Sequence, residues 1–180
     1  LSTRGEAKEA SFENVLASGT ASDGGLFVPS VIPKLESAVI DNMKNLSYTE
    51  IAEIVIKPFI GDFLQKDELQ KIISDAYKNF ETNDVVQIKD YEFGHVLELF
   101  HGPTLAFKDV AMQLLGRFLN AASEKLGKKI VILGATSGDT GSAAIAACQN
   151  FENLHSFIFF PDGKTVSYTH LEPTRLESIS

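Results

Sequence analysis

The sequence lacks the features that mark disulfide-bonded, secreted and membrane-spanning proteins. It has one cysteine, Cys148, so an intrachain disulfide is excluded, and the apolar residues before it predict a buried, unreactive thiol. No run of about 18 apolar residues could cross a bilayer. The N-terminus lacks the apolar stretch and small-residue cleavage site of a signal peptide. It also lacks an initiating Met, from which we expect a few preceding residues to be missing.

Basic clusters and metal-ligand patterns are also lacking. The net charge is −8, and the Lys and Arg residues are scattered, so we expect neither nucleic acid nor a membrane as partner. Three histidines, His95, His155 and His170, have no partner at metal-ligand spacing, and no serine-hydrolase elbow occurs. We therefore expect no metal site. The composition is that of an ordinary globular protein, and together with the single cysteine it fits a cytoplasmic location.

The hydrophobic pattern predicts a small, mostly helical domain over residues 1–83. Ser11 is a candidate N-cap for a short helix, and Ser47 with Glu50 has the spacing of a capping box. An Asp-Gly-Gly turn precedes a short strand that ends at Pro29. The predicted elements are helix 11–17, strand 26–28, a helix after Ser47, and helix 66–80.

Residues 84–166 alternate strand and helix signals, which predicts an α/β fold with a parallel sheet. The apolar run 129–133 is continuous, as expected where both faces of such a sheet are covered. In order, the predicted elements are strand 96–100, helix 108–126, strand 129–133, helix 140–150 and strand 156–160. Residues 167–180 show neither periodicity.

A lysine lies where a strand, a Gly-Pro turn and a helix start follow one another. Lys108 is flanked by apolar residues, and both dry surroundings and the positive end of a helix favour a neutral amine. A neutral amine is what Schiff-base chemistry needs. Asp109 would oppose this by stabilising the charged form. From composition alone, a surface lysine whose stem covers apolar groups is the favoured interpretation. His101, close by, is a candidate ligand contact.

A second segment, 134–144, connects a buried strand to a helix and suits an anion. Gly138 and Gly141 permit close backbone approach, and hydroxyls come from Ser137, Thr140 and Ser142. The helix start adds unpaired N–H groups and a positive field for a carboxylate or phosphate. The pattern is neither a Walker A loop nor G-x-G-x-x-G. An ordinary turn with a capping hydroxyl is the alternative.

These segments together resemble threonine synthases. The resemblance covers about residues 1–166 and is carried by segments 1–5, 11–13, 21–29, 98–109, 134–144 and 160–164. It implies a small helical N-terminal domain followed by the start of a tryptophan synthase β-like domain. That is the fold type II architecture of pyridoxal 5′-phosphate (PLP) enzymes, here truncated.

The resemblance also implies an activity: a lyase that converts O-phospho-L-homoserine and water to L-threonine and phosphate. Lys108 would hold PLP and move protons, and Phe107 would contact the cofactor. The substrate carboxylate would lie at a loop formed by Thr136, Ser137, Gly138, Asp139, Thr140 and Gly141. Members of the family are monomers or homodimers.

Other functions stay open. A threonine dehydratase or cysteine synthase shares the architecture, but segments 2–5 and 23–27 argue against both. A threonine synthase-like phospho-lyase is a nearer alternative. A non-catalytic anion-binding or interaction fragment is the alternative from another class.

The chain departs from the family at its end. Family members continue with a glycine-rich loop for the cofactor phosphate, which this sequence lacks. Residues 167–180 do not resemble that continuation, and we expect them to be a translated artefact. We also expect the 180-residue chain alone to be inactive.

Overall fold

A computed structural model describes residues 1–162 as two compact units that divide after Ser74, within the fourth α-helix. The predicted domain boundary after residue 83 stays a prediction, and the tail 167–180 lies outside the described residues. In chain order the elements are α1 (Phe12–Ser18), α2 (Ser37–Asn42), a 3₁₀ turn (Met43–Asn45), α3 (Tyr48–Ile60), α4 (Lys66–Tyr77), β1 (Gln87–Tyr91), β2 (Gly94–Glu98), α5 (Asp109–Leu126), β3 (Ile130–Ala135), α6 (Asp139–Cys148) and β4 (Leu154–Phe159).

The first unit, Leu1–Ser74, is mostly helical, as predicted. The capping box is confirmed: the Ser47 hydroxyl accepts from the Glu50 backbone N–H at 3.4 Å, and the Glu50 carboxylate accepts from the Ser47 N–H at 2.8 Å. Ser11 occupies the N-cap position of α1, but its hydroxyl accepts from the Asn14 amide instead of capping the helix. The predicted strand 26–28 is reduced to one bridge between Ser2 and Phe27.

A carboxylate joins the two N-terminal segments that carry the family resemblance. Asp23 accepts hydrogen bonds from the Ser2 hydroxyl at 2.7 Å and from the backbone N–H of Gly25 at 2.8 Å. It also accepts from the N–H groups of Glu6 and Ala7. These bonds, led by the one from Gly25, lower the pKa of Asp23 below its ordinary 3.8 because they favour the ionised form. The two segments are therefore one local structure.

The second unit begins with an antiparallel hairpin. Strands β1 and β2 pair from Gln87 opposite Glu98 to Tyr91 opposite Gly94. The prediction that residues 96–100 belong to the parallel sheet is therefore wrong. Strand β1, with the sequence Gln-Ile-Lys-Asp-Tyr, has a charged centre and little apolar signal, so the pattern did not reveal it. Once β1 exists, a two-residue connection makes antiparallel pairing with β2 the shortest solution.

The βαβ unit predicted downstream is confirmed. Strands β3 and β4 are parallel, with Ile130 opposite Leu154 and Ala135 opposite Phe159, and α6 connects them. Helix α5 ends at Gly127, whose left-handed backbone (φ 61°) lets the chain turn into β3. The helices approach closely at Gly116, where a Cβ would lie 2.5 Å from the carbonyl oxygen of Ala147. Within residues 1–162, no helix has the length and apolar composition needed to span a membrane.

Within the part of the chain that the structure describes, helices cover only one face of this two-stranded sheet. Side chains alternate along β3, so Ile132 is half-buried while Leu133 is 70% exposed. Leu133 lies opposite Phe157, which is 48% exposed, and Val131 and Phe159 are exposed on the same face. The expectation that both faces are covered is therefore wrong for the described residues. The Lys-Lys-Ile-Val-Ile-Leu run carries apolar residues on both faces although helices pack on only one.

The exposed face should make the isolated 180-residue chain self-associate. We expect the double variant Leu133→Lys, Phe157→Glu to reduce this several-fold, because it removes apolar surface and pairs opposite charges across the strands. Static light scattering against protein concentration measures the effect. The matched control is Gln149→Lys, Asn150→Glu, which keeps the same net charge but changes exposed residues elsewhere. Equal scattering by both variants would contradict the prediction.

Candidate functional site

Helices α5 and α6 start at the same edge of the parallel sheet. Each runs antiparallel to β3, so both N-termini lie beyond the carboxyl ends of the strands, where open α/β sheets bind ligands. An electrostatic interaction supports this arrangement, because the charge of Asp139 at the start of α6 is felt by Asp109 at the start of α5. The two segments singled out from the sequence are therefore neighbours in space.

Lys108 occupies the N-cap position of α5 with helical backbone angles. The residue is half-buried, and its Nζ lies 4.2 Å from the centroid of the Phe107 ring. Phe107 itself is mostly exposed. Lys108 forms no ion pair within residues 1–162. A lysine amine beside an aromatic face and without a carboxylate partner is available for chemistry.

The carboxylate of Asp109 points to the preceding turn. It accepts from the Thr104 backbone N–H at 2.7 Å, and the Thr104 hydroxyl lies 2.9 Å from each of its oxygens. Asp109 is 0% exposed and Thr104 is 2% exposed. The Asp109 N–H in turn donates to the Ala106 carbonyl at 3.0 Å. The expected pairing of Asp109 with the Lys108 amine is thus replaced by a closed loop over residues 104–109.

Two further features constrain the turn that precedes Lys108. A Cβ on Gly102 would lie 2.4 Å from the Asp109 Cβ and 2.6 Å from Oδ2, so no larger residue fits without displacing Asp109. The Leu105 N–H donates to the Gly102 carbonyl at 3.1 Å, which closes a turn, and Leu105 has φ 62°. A left-handed leucine is uncommon and costs about 1 kcal/mol. The surrounding bonds therefore hold a strained turn just ahead of Lys108.

Burial raises the pKa of the Asp109 carboxyl above its ordinary 3.8. Hydrogen bonds from the backbone and side chain of Thr104 and from the Ala106 backbone lower this pKa. The negative charge of Asp139 raises it further. Desolvation dominates because a carboxylate with no exposed surface loses its hydration. The folded protein therefore favours the protonated form of Asp109 more than the unfolded chain does.

His101 faces two carboxylates. It is buried, its Nε2 lies 3.0 Å from Oε2 of Glu98, and its Nδ1 lies 3.6 Å from Oε2 of Glu81. The Glu81 N–H also donates to the His101 carbonyl at 2.9 Å. This candidate ligand contact therefore anchors the start of the lysine loop to the preceding segment. Within the described residues no group of three or more His, Cys, Asp or Glu could hold a metal ion.

The second loop is held tightly between β3, β4 and α6. The Thr136 N–H donates to the Phe159 carbonyl at 2.9 Å, and the Gly138 N–H donates to the Thr136 hydroxyl at 3.3 Å. A Cβ on Gly141 would lie 2.8 Å from Cγ2 of Thr136 and 3.0 Å from Cγ2 of Ile158. Only glycine permits this close approach, so α6 starts directly against the end of the sheet.

Four residues of this loop remain accessible. Ser137, Asp139 and Thr140 are half-buried, as is Thr136, whereas Gly138, Gly141 and Ser142 are buried. At the start of α6, a ten-residue helix, the Gly141 N–H donates to the Gly138 carbonyl at 3.0 Å. The N–H groups of Asp139 and Thr140 have no partner in the helix itself. The arrangement can accept an anion from its accessible side. Ser142, counted among the possible donors from the sequence, is 0% exposed.

An apolar cleft of about 160 Å³ lies behind this loop, between α5, α6 and the sheet. It is lined by Met112, Leu115, Leu119, Ile132 and Ile158, among others, and it reaches Cys148. Cys148 is buried, and desolvation raises the pKa of its thiol, which confirms the predicted buried thiol. Apart from Thr136, Thr140 and Cys148, the side chains that line the cleft are apolar, and the cleft is part of the core.

Sequence reasoning missed the partnership of Gly102, Thr104 and Asp109. The sequence pattern indicates Asp109 only as the neighbour of Lys108 and assigns no role to Thr104. A weak signal was present, since a buried Asp in the first turn of a helix needs donors and the preceding Gly-Pro-Thr turn supplies them. The pairing over five residues becomes visible only when the turn geometry is known.

Comparison with known proteins identifies relatives for nearly the whole chain. A family model described as "Threonine synthase N terminus" matches residues 1–77. The threonine synthase of Pseudomonas aeruginosa is 45% identical over 165 residues, which is 91% of this chain and 35% of that protein. The human protein named threonine synthase-like 2 is 39% identical over 97% of this chain and 36% of its own length.

The chain is also similar to a solved structure of a threonine synthase. The PLP-bound threonine synthase from Brucella melitensis superposes with a TM-score of 0.87 at 42% identity, over 92% of this chain and 36% of that one. The chain therefore spans about a third of the length of the relatives that it matches.

The raised pKa of Asp109 predicts a pH-dependent stability with a defined sign. The stabilising contribution of Asp109 to the free energy of unfolding is fully present below about pH 4. It is lost as pH rises through the raised pKa of Asp109 in the folded protein. We therefore expect Asp109→Asn, which cannot titrate, to gain stability relative to wild type as pH rises from about 4 to about 7. Urea unfolding of the full-length protein across this range measures the difference.

Asp23→Asn is the matched control. The pKa of Asp23 is lowered, so its contribution to stability is present above 3.8 and is lost only as pH falls through the lowered folded pKa. Between about pH 4 and about pH 7, the difference between Asp23→Asn and wild type should therefore stay nearly constant. A constant difference between wild type and Asp109→Asn over the whole range would contradict the assignment of a desolvated carboxylate.

Proposed function

Since the chain belongs to the threonine synthase family, we propose that the full-length protein converts O-phospho-L-homoserine and water to L-threonine and phosphate with PLP as cofactor. The observation that carries this proposal is Lys108 at the start of α5, half-buried and without an ion-pair partner in residues 1–162. Beside it at the same edge of the sheet, α6 begins with a loop suited to an anion. The chain supplies about a third of the length of its relatives, so the activity is proposed for the whole protein.

The residues present fit PLP. A primary amine is the group that attaches the cofactor aldehyde, and the exposed ring of Phe107 offers an apolar surface next to it. Gly102 and Gly141 keep the backbone close to both helix starts, at positions that a Cβ would fill. When bound, the cofactor supplies an electron sink that stabilises negative charge on substrate carbon atoms.

Lys108 has two tasks in this proposal. Its Nζ would hold the cofactor in the resting protein, and during the reaction it would accept and donate protons next to the reacting carbons. The surroundings suit both tasks, because the half-buried Lys108 lies beside the exposed Phe107 ring and forms no ion pair within residues 1–162. Lys108 is the residue that we assign as catalytic.

The loop with Thr136, Ser137, Gly138, Asp139, Thr140 and Gly141 would bind the substrate carboxylate. Backbone N–H groups at the start of α6 donate to the anion, and the hydroxyls of Ser137 and Thr140 add further donors. Asp139 lies in the first turn, where a negative side chain is favourable for the helix. Its charge must face away from the substrate for this role.

A phosphate-eliminating lyase that releases an oxo acid instead of threonine is the second candidate. It is favoured by the 39% identity to the human protein named threonine synthase-like 2, which is close to the values for the synthases. Both candidates use the same lysine and the same anion loop. Analysis of the product from O-phospho-L-homoserine separates them, since only the synthase adds water to form threonine.

The remaining partners and the location belong to the same proposal. The partner is a small-molecule substrate, with no nucleic acid involved, and the full-length protein is a monomer or homodimer in the cytoplasm. A net charge of −8 with scattered basic residues supports the exclusion of nucleic acid.

We expect borohydride reduction of the PLP-loaded full-length protein to attach the cofactor to Lys108 alone, because this amine lies free at the helix start. Peptide mass spectrometry locates the attachment. In Lys108→Ala, attachment and threonine formation should both be lost, with a rate decrease of at least about a thousandfold. Lys129→Ala, at an exposed position, is the matched control. Reduction that labels a different lysine would refute the assignment, and the isolated 180-residue chain should form no threonine.

We expect Thr140→Val, which keeps the shape of the side chain but removes the hydroxyl, to raise KM for O-phospho-L-homoserine. The increase should be about tenfold, the effect of losing one hydrogen bond to a charged group. Steady-state kinetics of the full-length protein measures it. Thr20→Val, at an exposed turn, controls for the change of side chain. An unchanged KM would remove Thr140 from the substrate site.

A further inference from the structure

We propose that Asp109 is a positioning residue: by binding both donors of Thr104, its carboxylate fixes the direction in which Lys108 presents its amine. This inference rests on the proposed function, in which Lys108 holds the cofactor. It adds a residue whose side chain does not reach the cofactor but sets the geometry of the one that does.

The first step in the argument is the number of bonds that one carboxylate makes. Both polar donors of Thr104, its N–H and its hydroxyl, lie within 2.9 Å of the Asp109 oxygens. The beginning of the loop is thereby joined to the first residue of α5 across the segment that contains Lys108. A segment of so few residues with both ends bonded has little freedom to change its backbone.

The second step is burial. Asp109 and Thr104 are almost completely excluded from water, so no solvent molecule can replace a lost bond between them. Leaving buried donors unsatisfied costs about 1–3 kcal/mol. Gly102 contributes to the same fit, since a Cβ there would meet the carboxylate. The Asp109 carboxylate is therefore restricted to one position between Thr104 and Gly102, and the loop is restricted to the conformation that allows these contacts.

The third step is the direction of the two side chains. Residues that follow one another at the start of a helix point in different directions, so the Asp109 carboxylate does not face the Lys108 amine. The Thr104 donors occupy the Asp109 oxygens, and within residues 1–162 Lys108 forms no ion pair. The Nζ lies over the Phe107 ring instead. Asp109 thus positions the lysine without competing for its amine.

Backbone strain supports the same view. Leu105, between Thr104 and Lys108, is held at φ 62°, which a leucine adopts only where surrounding contacts require it. Such strain near a reactive group is typical of a site whose geometry is held in advance of ligand binding. The bonds of Asp109 are the contacts that hold it.

The experiment compares two ligands in the full-length protein. Pyridoxal 5′-phosphate can bond to the Lys108 amine, whereas pyridoxine 5′-phosphate, its alcohol analogue, can only bind without a bond. The ratio of the two dissociation constants therefore reports the placement of the amine, and overall weakening of the site cancels. Thermal unfolding of each variant is recorded alongside.

We expect Asp109→Ala to reduce the preference for the aldehyde roughly tenfold or more, since small misplacements of a reacting group are costly. Asp109→Asn should stay within about threefold of wild type, because an amide can accept from the Thr104 N–H and donate to its hydroxyl. Thr104→Val, which removes only the hydroxyl, should fall between them. Thr104→Ser is the matched control and should behave as wild type.

A merely structural role predicts a different result. In that case Asp109→Ala would lower the melting temperature and weaken both ligands equally, and this outcome would overturn the proposal. If Asp109→Ala does not fold, the ratio of the two dissociation constants in Thr104→Val and Asp109→Asn tests the proposal. An unchanged preference for the aldehyde in Thr104→Val would overturn the proposal as well. Failure of the proposed function is distinguishable, because the wild-type protein would then show no preference for the aldehyde.

Discussion

The hydrogen bonds between Thr104 and the buried Asp109 carboxylate are the interaction on which the candidate site depends. They close the turn after the Gly-Pro pair, and they fix the start of α5. A charged group with no exposed surface is unfavourable unless its partners are complete, so the local sequence must supply donors at the right distance. These bonds also restrict the position of Lys108, because it lies in the chain between Thr104, which donates, and Asp109, which accepts.

The field of the two helices explains why a carboxylate is tolerated there. Asp109 and Asp139 each lie in the first turn of a helix, where the aligned peptide dipoles favour negative charge. However, the two carboxylates repel each other, which contributes to the raised pKa of Asp109. Turning the Asp109 oxygens toward Thr104 directs one of these charges into the protein and leaves the accessible edge for an anionic substrate.

The sequence predicts those features of the fold that depend on interactions between residues close in the chain. Ser47 and Glu50 satisfy each other within one helical turn, and β3, α6 and β4 follow from an apolar strand, a helix and another apolar strand. The pairing of β1 with β2 escaped prediction because β1 is polar and its partner is chosen by a short connection. Lys108 and the anion loop are candidates because of the family resemblance, since their residue types alone also fit a surface lysine and an ordinary turn. The bonds of Asp109 were not predicted, because they depend on the turn conformation at Leu105.

The exposed face of the sheet connects the fold to the chemistry. Helices α5 and α6 support both halves of the site from one side, while Leu133 and Phe157 on the other side remain open to water. Electrostatic interactions at a reaction centre are strong only where water is excluded. The described residues therefore position the lysine and the anion loop but do not enclose them. A protein that performs the proposed reaction needs further structure over this edge, and relatives about three times as long as this chain have the residues to provide it.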